Sequence, residues 1–246
     1  MSTAYLVTGA SKGLGKSIAI AIAKSGNPVI ALARGSADLE EVGKQLAEIH
    51  PESITVSCDL SGVTDVFAAA ELMCSQFDHL AGIVHNAGTI SPIRGMLDVD
   101  GEEWSRNIRV NLIGVQNLTN RLHSIIGGDS HTRITTISSG AAKRPIHGWS
   151  SYCVSKAALD MWAMCMAEEG EDSNISALAI APGIVDTAMQ NEIRSSNEDD
   201  FPLVENFRDY HRNGDLTNPD DVAEKLLPYC LGTSGANGDR LDVRDL

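Results

Sequence analysis

Ala4-Tyr5-Leu6-Val7-Thr8-Gly9-Ala10-Ser11-Lys12-Gly13-Leu14-Gly15 passes from a short apolar run through three glycines and on into Ile18-Ala19-Ile20-Ala21-Ile22-Ala23, which reads as a helix. A strand, a glycine turn and a helix in that order make a nucleotide-binding βα unit. Glycines here allow a tight turn, backbone approach to a pyrophosphate and close helix packing. The helix N-terminus adds unpaired N–H groups and a positive dipole for phosphates. A Walker loop does not fit. G-x-x-x-x-G-K-[ST] ending at Lys16-Ser17 needs glycine at position 10, which is Ala10.

Outward from that unit, apolar runs at 5–7, 29–33, 54–57, 81–85, 134–138, 176–180 and, more weakly, 240–243 read as strands. Helical patterns at 14–26, 37–49, 63–77, 101–126, 151–170 and 219–231 lie between them. Strands that are apolar throughout are buried on both faces, which predicts a doubly wound, seven-stranded parallel sheet with helices on each side. Its connections are expected to be right-handed. Without a Pro/Ser-rich linker or a repeat, 1–246 reads as a single α/β domain. The stretch 186–218 breaks the alternation, with Met189, Phe201, Phe207 and Tyr210 spaced like the inner face of short helices. A disordered surface loop and a substrate lid both fit this text. Its length and its place after a late strand favour the lid, with the polar run 195–200 as a mobile tip.

The net charge of −14 argues against nucleic acid and anionic membrane surfaces as partners. Cys58, Cys74, Cys153, Cys165 and Cys230 form no C-x-x-C pair and no metal spacing with the histidines, so no metal is expected. Scattered thiols of this kind suit a reducing, cytoplasmic setting. The first strand begins at Ala4 with no signal peptide before it, and no apolar run reaches the ~20 residues of a membrane span.

The end of the second strand distinguishes the two nicotinamide dinucleotides. An acid there would bind a ribose 2′-hydroxyl. The text is Ala31-Leu32-Ala33-Arg34-Gly35, with no carboxylate before Asp38. Arg34 offers a planar fork of donors suited to a 2′-phosphate, and Lys12 in the glycine turn can add a second cation. A solvated surface arginine is the plainer alternative. The expected cofactor is NADP(H).

Tyr152 and Lys156 stand four apart in Ser150-Ser151-Tyr152-Cys153-Val154-Ser155-Lys156, on one face of a helix. An ammonium ~4 Å from a phenol at an effective dielectric of ~20 contributes about 4 kcal/mol to the phenolate. At ~1.4 kcal/mol per pH unit that would draw the phenol from ~10 toward ~7, where it can act as an acid. Desolvation opposes the shift, and an oxidised nicotinamide ring would assist it. Lys156 could also hold the nicotinamide ribose. Ser139, thirteen residues before Tyr152, follows the strand Ile134-Thr135-Thr136-Ile137-Ser138 and can hold a substrate oxygen. Ser138 competes for that role, with the spacing favouring Ser139. No G-x-S-x-G elbow surrounds either serine, which weakens a hydrolase reading.

Taken together, the Thr8–Gly15 turn, Cys58-Asp59-Leu60, Asn86-Ala87-Gly88, Asn111, Ser139, Tyr152/Lys156 and Pro182-Gly183-Ile184-Val185-Asp186-Thr187 resemble the short-chain dehydrogenase/reductase family over nearly the whole chain. The resemblance implies a Rossmann fold. It also implies a cofactor site of Gly9, Ser11, Lys12, Gly13, Leu14, Gly15, Arg34, Asp59, Leu60, Asn86, Ala87, Gly88, Tyr152, Lys156, Pro182, Gly183, Val185 and Thr187. In that family Asp59 would meet the adenine amine, and Asn86-Ala87-Gly88 would steady the central strand. Asn111 would bend its helix and anchor a water toward the lysine, and Pro182–Thr187 would wrap the nicotinamide amide. The implied catalytic set is Asn111, Ser139, Tyr152 and Lys156. His85 departs from the family, many members of which carry Asn there.

Ser138-Ser139-Gly140-Ala141-Ala142-Lys143-Arg144-Pro145, Gly148-Trp149-Ser150-Ser151-Tyr152 and Val185-Asp186-Thr187-Ala188-Met189-Gln190 are similar to the sepiapterin reductase-like branch, benzil reductases especially. The resemblance implies an NADPH-dependent reductase of ketones or diketones, with Tyr152 as acid. The same residues could oxidise a secondary alcohol with NADP. A non-catalytic NADP sensor would need none of the four catalytic side chains. Trp149, Met189 and Phe207, with Ser139, are the expected substrate contacts, and core or dimer packing is the bland alternative for the first three. The family associates through the helix carrying the Tyr–Lys pair and the one before it, so a homodimer or homotetramer is expected. Met161, Trp162, Met164 and Met166 are candidates for that face.

Overall fold

The computed structural model describes residues 2–246. Seven strands, β1 (Thr3–Thr8), β2 (Val29–Ala33), β3 (Ile54–Ser57), β4 (His79–His85), β5 (Thr132–Ile137), β6 (Ile175–Ala181) and β7 (Arg240–Asp242), form one sheet in the order β3-β2-β1-β4-β5-β6-β7. All six pairings are parallel. The expected fold class is therefore the observed one. β1 and β4 lie side by side, with the chain wound outward from them in opposite directions. A ligand crevice opens at the carboxyl ends of strands at such a point.

Helices α1 (Gly13–Lys24), α2 (Ala37–Ile49) and α9 (Pro219–Cys230) cover one face. They seat Ile18, Ile22, Val42, Leu46 and Leu226 against Val7, Ala31 and Val84. The other face carries α3 (Val63–Gln76), α4 (Gly101–Ile108), α5 (Gly114–Arg121) and α6 (Ser150–Gly170). There Val66, Met73, Leu118 and Ala167 meet Leu6, Ile30, Leu32 and Ile83. The inner strands thus bury both sides, with Leu6, Val7, Ile30 and Leu32 at no exposure, while the edge strands β3 and β7 are only partly covered.

The single helix expected over 101–126 is broken. Between α4 and α5 the five residues Arg109–Ile113 form a π-helical turn, and 123–125 tighten into a 3₁₀ turn. A π-turn widens the helix by one residue and re-aims its side chains; here it sends Asn111 into the interior, where it has no exposure.

The excursion after β6 holds α7 (Ala188–Arg194) and α8 (Val204–Asn213). Its ends meet: Asp186 N–H donates to Thr217 O at 2.9 Å, and Thr217 N–H to Ile184 O at 2.9 Å. The run at 195–200 is mostly exposed and folds back at its end. Asp200 forms an ion pair with Arg94 at 3.6 Å and closes a turn on Asn197, whose Oδ1 accepts from Asp200 N–H at 2.7 Å. A Cβ on Gly148 (φ +81) would stand 2.4 Å from Asp200 O, so the tip lies on the loop before α6.

No helix among the described residues is long and apolar enough to cross a membrane.

Candidate active site

A cleft of about 1120 Å³ crosses the carboxyl edge of the sheet and is walled by every expected site residue except Asn111, which lies just beneath it. At one end is the glycine turn between β1 and α1. Its glycines are set less by what fills the cleft than by the neighbouring strand. A Cβ on Gly9 would stand 2.8 Å from Ala87 Cα, and one on Gly15 2.3 Å from Asn86 Nδ2. The Asn86 amide donates to Thr8 O at 2.9 Å, and the Thr8 hydroxyl accepts from the amides of Asn86 and Ala87 at 3.1 and 3.0 Å. Gly13 (φ +55) faces the far wall, where its Cβ would meet Thr187 Cγ2 at 3.1 Å. Side chains at Gly9 and Gly15 would thus push the turn off the neighbouring segment, and one at Gly13 would crowd the channel at Thr187; the glycine turn leaves a cradle that a dinucleotide fits.

Beyond the turn, Arg34 and Lys12 are exposed on the wall and form no ion pair among the described residues. Asp59 accepts from the Ser61 amide and hydroxyl at 2.9 and 2.7 Å, and Arg106 approaches it at 3.6 Å. Burial pushes the Asp59 carboxyl up, but the Ser61 bonds, then Arg106 and Arg34, outweigh it and hold the group below its ordinary range. Arg106, on α4, is a cleft residue that the sequence reading missed. Nothing in its surroundings in the chain separates it from a solvated helix face.

Tyr152, Lys156 and Asp160 occupy successive turns of α6 and are all buried. The Ser139 hydroxyl neighbours the Tyr152 phenol and acts to lower it, and Ser139 Oγ accepts from Ala141 N–H at 3.1 Å. Ser138 turns away, donating to the Asp160 carboxylate, which also accepts from Arg240. Of the two competing serines, Ser139 alone stands beside the phenol.

The electrostatics of the pair differ from the sequence expectation. Lys156 Nζ lies 5.8 Å from the Tyr152 ring centroid and donates to Ile137 O at 2.7 Å. Burial dominates both groups. It pushes the Tyr152 phenol up to about 12, with Ser139 pulling the other way, and brings the Lys156 ammonium down to about 8 against the attraction of Asp160. The chain by itself thus keeps the phenol protonated rather than drawing it toward neutrality. The i, i+4 spacing gave the shared face but not the carbonyl that captures the ammonium.

An apolar wall completes the cleft. Trp149 stacks on Phe201, contacts Tyr152 edge-on with centroids 5.7 Å apart, and tilts against Phe207. Ile90, Ile193, Met189 and Leu203 pack into the same cluster. Met189 and Phe207 face the cleft as expected, joined by Tyr210 and Asn206 from α8. On the outer side of α6, Met161 and Met164 are exposed with Val154, whereas Trp162 and Met166 pack against the core. Among the described residues, no three His, Cys, Asp or Glu side chains converge as a metal site.

The family model described as short chain dehydrogenase matches residues 3–198. A Bacillus subtilis (strain 168) protein named benzil reductase ((S)-benzoin forming) is 34% identical over 251 residues, covering 98% of each chain. The crystal structure of the KRED1-Pglu enzyme is similar with a TM-score of 0.86 at 29% identity, covering 98% of this chain and 100% of that one. A short chain dehydrogenase from Burkholderia cenocepacia J2315, solved in complex with NADP, has a TM-score of 0.82 at 26% identity and covers 98% and 96% of the two chains.

Proposed function

This chain belongs to the short chain dehydrogenase family, and from that premise we propose that it is an NADPH-dependent carbonyl reductase acting on an apolar ketone or diketone. One observation carries the reading: the Tyr152 phenol and the Ser139 hydroxyl share their cleft with a glycine cradle whose outer wall presents Arg34 and Lys12. Benzil reduction by the Bacillus subtilis relative and the NADP in the Burkholderia cenocepacia structure support it from outside.

When bound, NADPH supplies hydride chemistry at the carbonyl carbon; the rest falls to this chain's side chains. Ser139 and Tyr152 both direct hydroxyl hydrogens at the substrate oxygen. As that oxygen gains negative charge, Tyr152 gives up its proton, and the product is the neutral alcohol. A positioned general acid contributes about 10²–10⁴-fold, and one donor to a developing oxyanion about 10²–10³-fold. Lys156 stabilises the phenolate left behind. Arg34 and Lys12 would take the 2′-phosphate, Asp59 and Leu60 the adenine, and Pro182, Gly183, Val185 and Thr187 the nicotinamide side. The 186–218 excursion serves as the substrate lid, with Trp149, Met189 and Phe207 excluding water. The exposed Val154 and Met161 face of α6 suits a second copy of the chain.

The direct test is NADPH oxidation across a panel of aryl ketones and vicinal diketones, with chiral analysis of the alcohols. Tight NADPH binding without turnover on any of them would replace the reductase with a nucleotide sensor.

A further inference from the structure

Three polar side chains with no exposure at all, Asn107, Asn111 and Ser155, meet beneath the cleft. Their bonds can be counted. The Asn111 amide has two hydrogens and three acceptors in reach: Thr89 O at 2.9 Å, Asn107 Oδ1 at 3.0 Å and Ser155 Oγ at 3.0 Å. Asn111 Oδ1 accepts from Thr89 N–H at 2.8 Å, so its side chain grips both polar groups of the Thr89 main chain. Asn107 donates to Thr89 O at 3.0 Å and to Ser91 O at 2.9 Å. The Ser155 hydroxyl has one hydrogen and two acceptors, Asn107 Oδ1 and Tyr152 O, each at 3.0 Å.

With one Asn111 hydrogen on Thr89 O, two arrangements give every donor a partner and place a single hydrogen on Asn107 Oδ1. In one, Ser155 donates to Asn107 and Asn111 donates to Ser155. In the other, Ser155 donates to Tyr152 O and Asn111 donates to Asn107. Both link Asn107 to Asn111, directly or through Ser155, and both leave Asn107 donating to the Thr89 and Ser91 carbonyls. That segment matters because Gly88 precedes it. A Cβ on Gly88 would stand 3.3 Å from Asn111 Oδ1 and 3.5 Å from Lys156 Nζ. The wall beside the Lys156 ammonium is thus placed by the segment that Asn107 and Asn111 hold, and Ser155 ties it to the helix carrying Tyr152 and Lys156.

We infer that Asn107 and Ser155 are positioning residues of this site, acting through Asn111 to lock the 88–91 segment against α6. In its effect on turnover the inference rests on the reductase reading above; in its geometry it does not. A buried network that only stabilised the fold would lower the melting temperature and leave the chemistry alone. A positioning network slows the chemical step while leaving cofactor affinity in place.

The test uses the full chain with NADPH and benzil as probe, together with amide exchange at Thr89. Asn107→Ala is expected to slow single-turnover NADPH oxidation about 10–100-fold, with NADPH affinity within about threefold. In an Asn111→Ala background it should slow turnover no further, since the two act as one unit. Thr89 amide exchange should accelerate at least about tenfold. A wild-type rate in Asn107→Ala, or losses that multiply in the double variant, would overturn the inference. Ser155→Ala leaves every remaining donor a partner, so it folds even where Asn107→Ala does not. It is expected to slow turnover about three- to tenfold, and a wild-type rate there removes Ser155 from the set. If the unaltered protein reduces no carbonyl, the reductase proposal fails. Thr89 exchange then decides alone, and unchanged exchange in both single variants sinks the positioning role.

Discussion

The Trp149 indole lies flat on the Phe201 ring, with centroids 4.8 Å apart and planes 9° from parallel. These two residues are 52 positions apart in sequence, one at the start of α6 and the other in the excursion over the cleft. Phe201 has no exposure, so it is the anchor by which that excursion is held to the site.

Phe201→Ala removes a fully buried ring and should cost about 3–5 kcal/mol of stability. The loss should fall on the substrate end: KM for an aryl ketone should rise with NADPH affinity unchanged. Thermal melts and steady-state kinetics check this. An unchanged KM would mean that the stack shapes the fold and not the site.

Arg34→Ala removes a charge-assisted contact worth about 1.5–3 kcal/mol, so NADPH should bind roughly 10–100-fold more weakly. NADH binding should change little. Fluorescence titration with both dinucleotides makes the comparison, and equal weakening would show that the arginine does not read the 2′-phosphate.

Tyr152→Phe keeps the ring against Trp149 and deletes only the hydroxyl. NADPH affinity should be retained while turnover falls by about 10²–10⁴-fold. Turnover near that of the unaltered enzyme would refute the acid role.

The pH profile should follow Lys156, whose ammonium is brought down to about 8 by burial. Deprotonation removes the charge that stabilises the Tyr152 phenolate. Turnover should therefore be level near pH 7 and fall by up to about tenfold per pH unit above ~8. A rate that held level to pH 10 would exclude this lysine from the chemistry.

His85 predicts acid sensitivity of the fold. Burial lowers its imidazole from 6.5 to about 3, and its Nε2 meets the Thr119 hydroxyl at 2.8 Å. Below pH 6.5 the unfolded chain binds a proton that the folded chain refuses. Stability should therefore be complete above that pH and decline as pH drops toward ~3, by about 1.4 kcal/mol per unit. Urea unfolding at pH 7 and pH 5 should differ by roughly 2 kcal/mol from this group. His85→Asn should flatten that difference, and an unaltered slope would assign the sensitivity elsewhere.

Much of the fold was legible because strands buried on both sides leave unbroken apolar runs, as Val29–Ala33 does. The strand ends were not. Thr3 and Thr132 join the ladder despite their hydroxyls, because pairing with a neighbouring strand satisfies backbone groups whatever the side chain. The broken helix at 101–126 was hidden for a different reason. One extra residue in a turn leaves the apolar spacing on either side close to helical period, so only the buried asparagine reveals it. Local motifs brought the Tyr152, Lys156 and Ser139 cluster within reach, since each sits at a fixed offset on one element. The Lys156 bond to Ile137 O and the stack of Trp149 on Phe201 were out of reach, because both depend on how separate elements are packed.

The widened turn at Arg109–Ile113 makes the length of this segment a strict quantity. Removing one residue there would restore regular winding and swing everything on its far side by about 100°, carrying Asn111 off the inward-facing side. An exchange at an exposed position of this stretch, such as Ile113, can be absorbed; a change in the number of residues cannot. Insertions should therefore be tolerated at the exposed Asp129-Ser130 turn while changes of length are forbidden between Asn107 and Gly114.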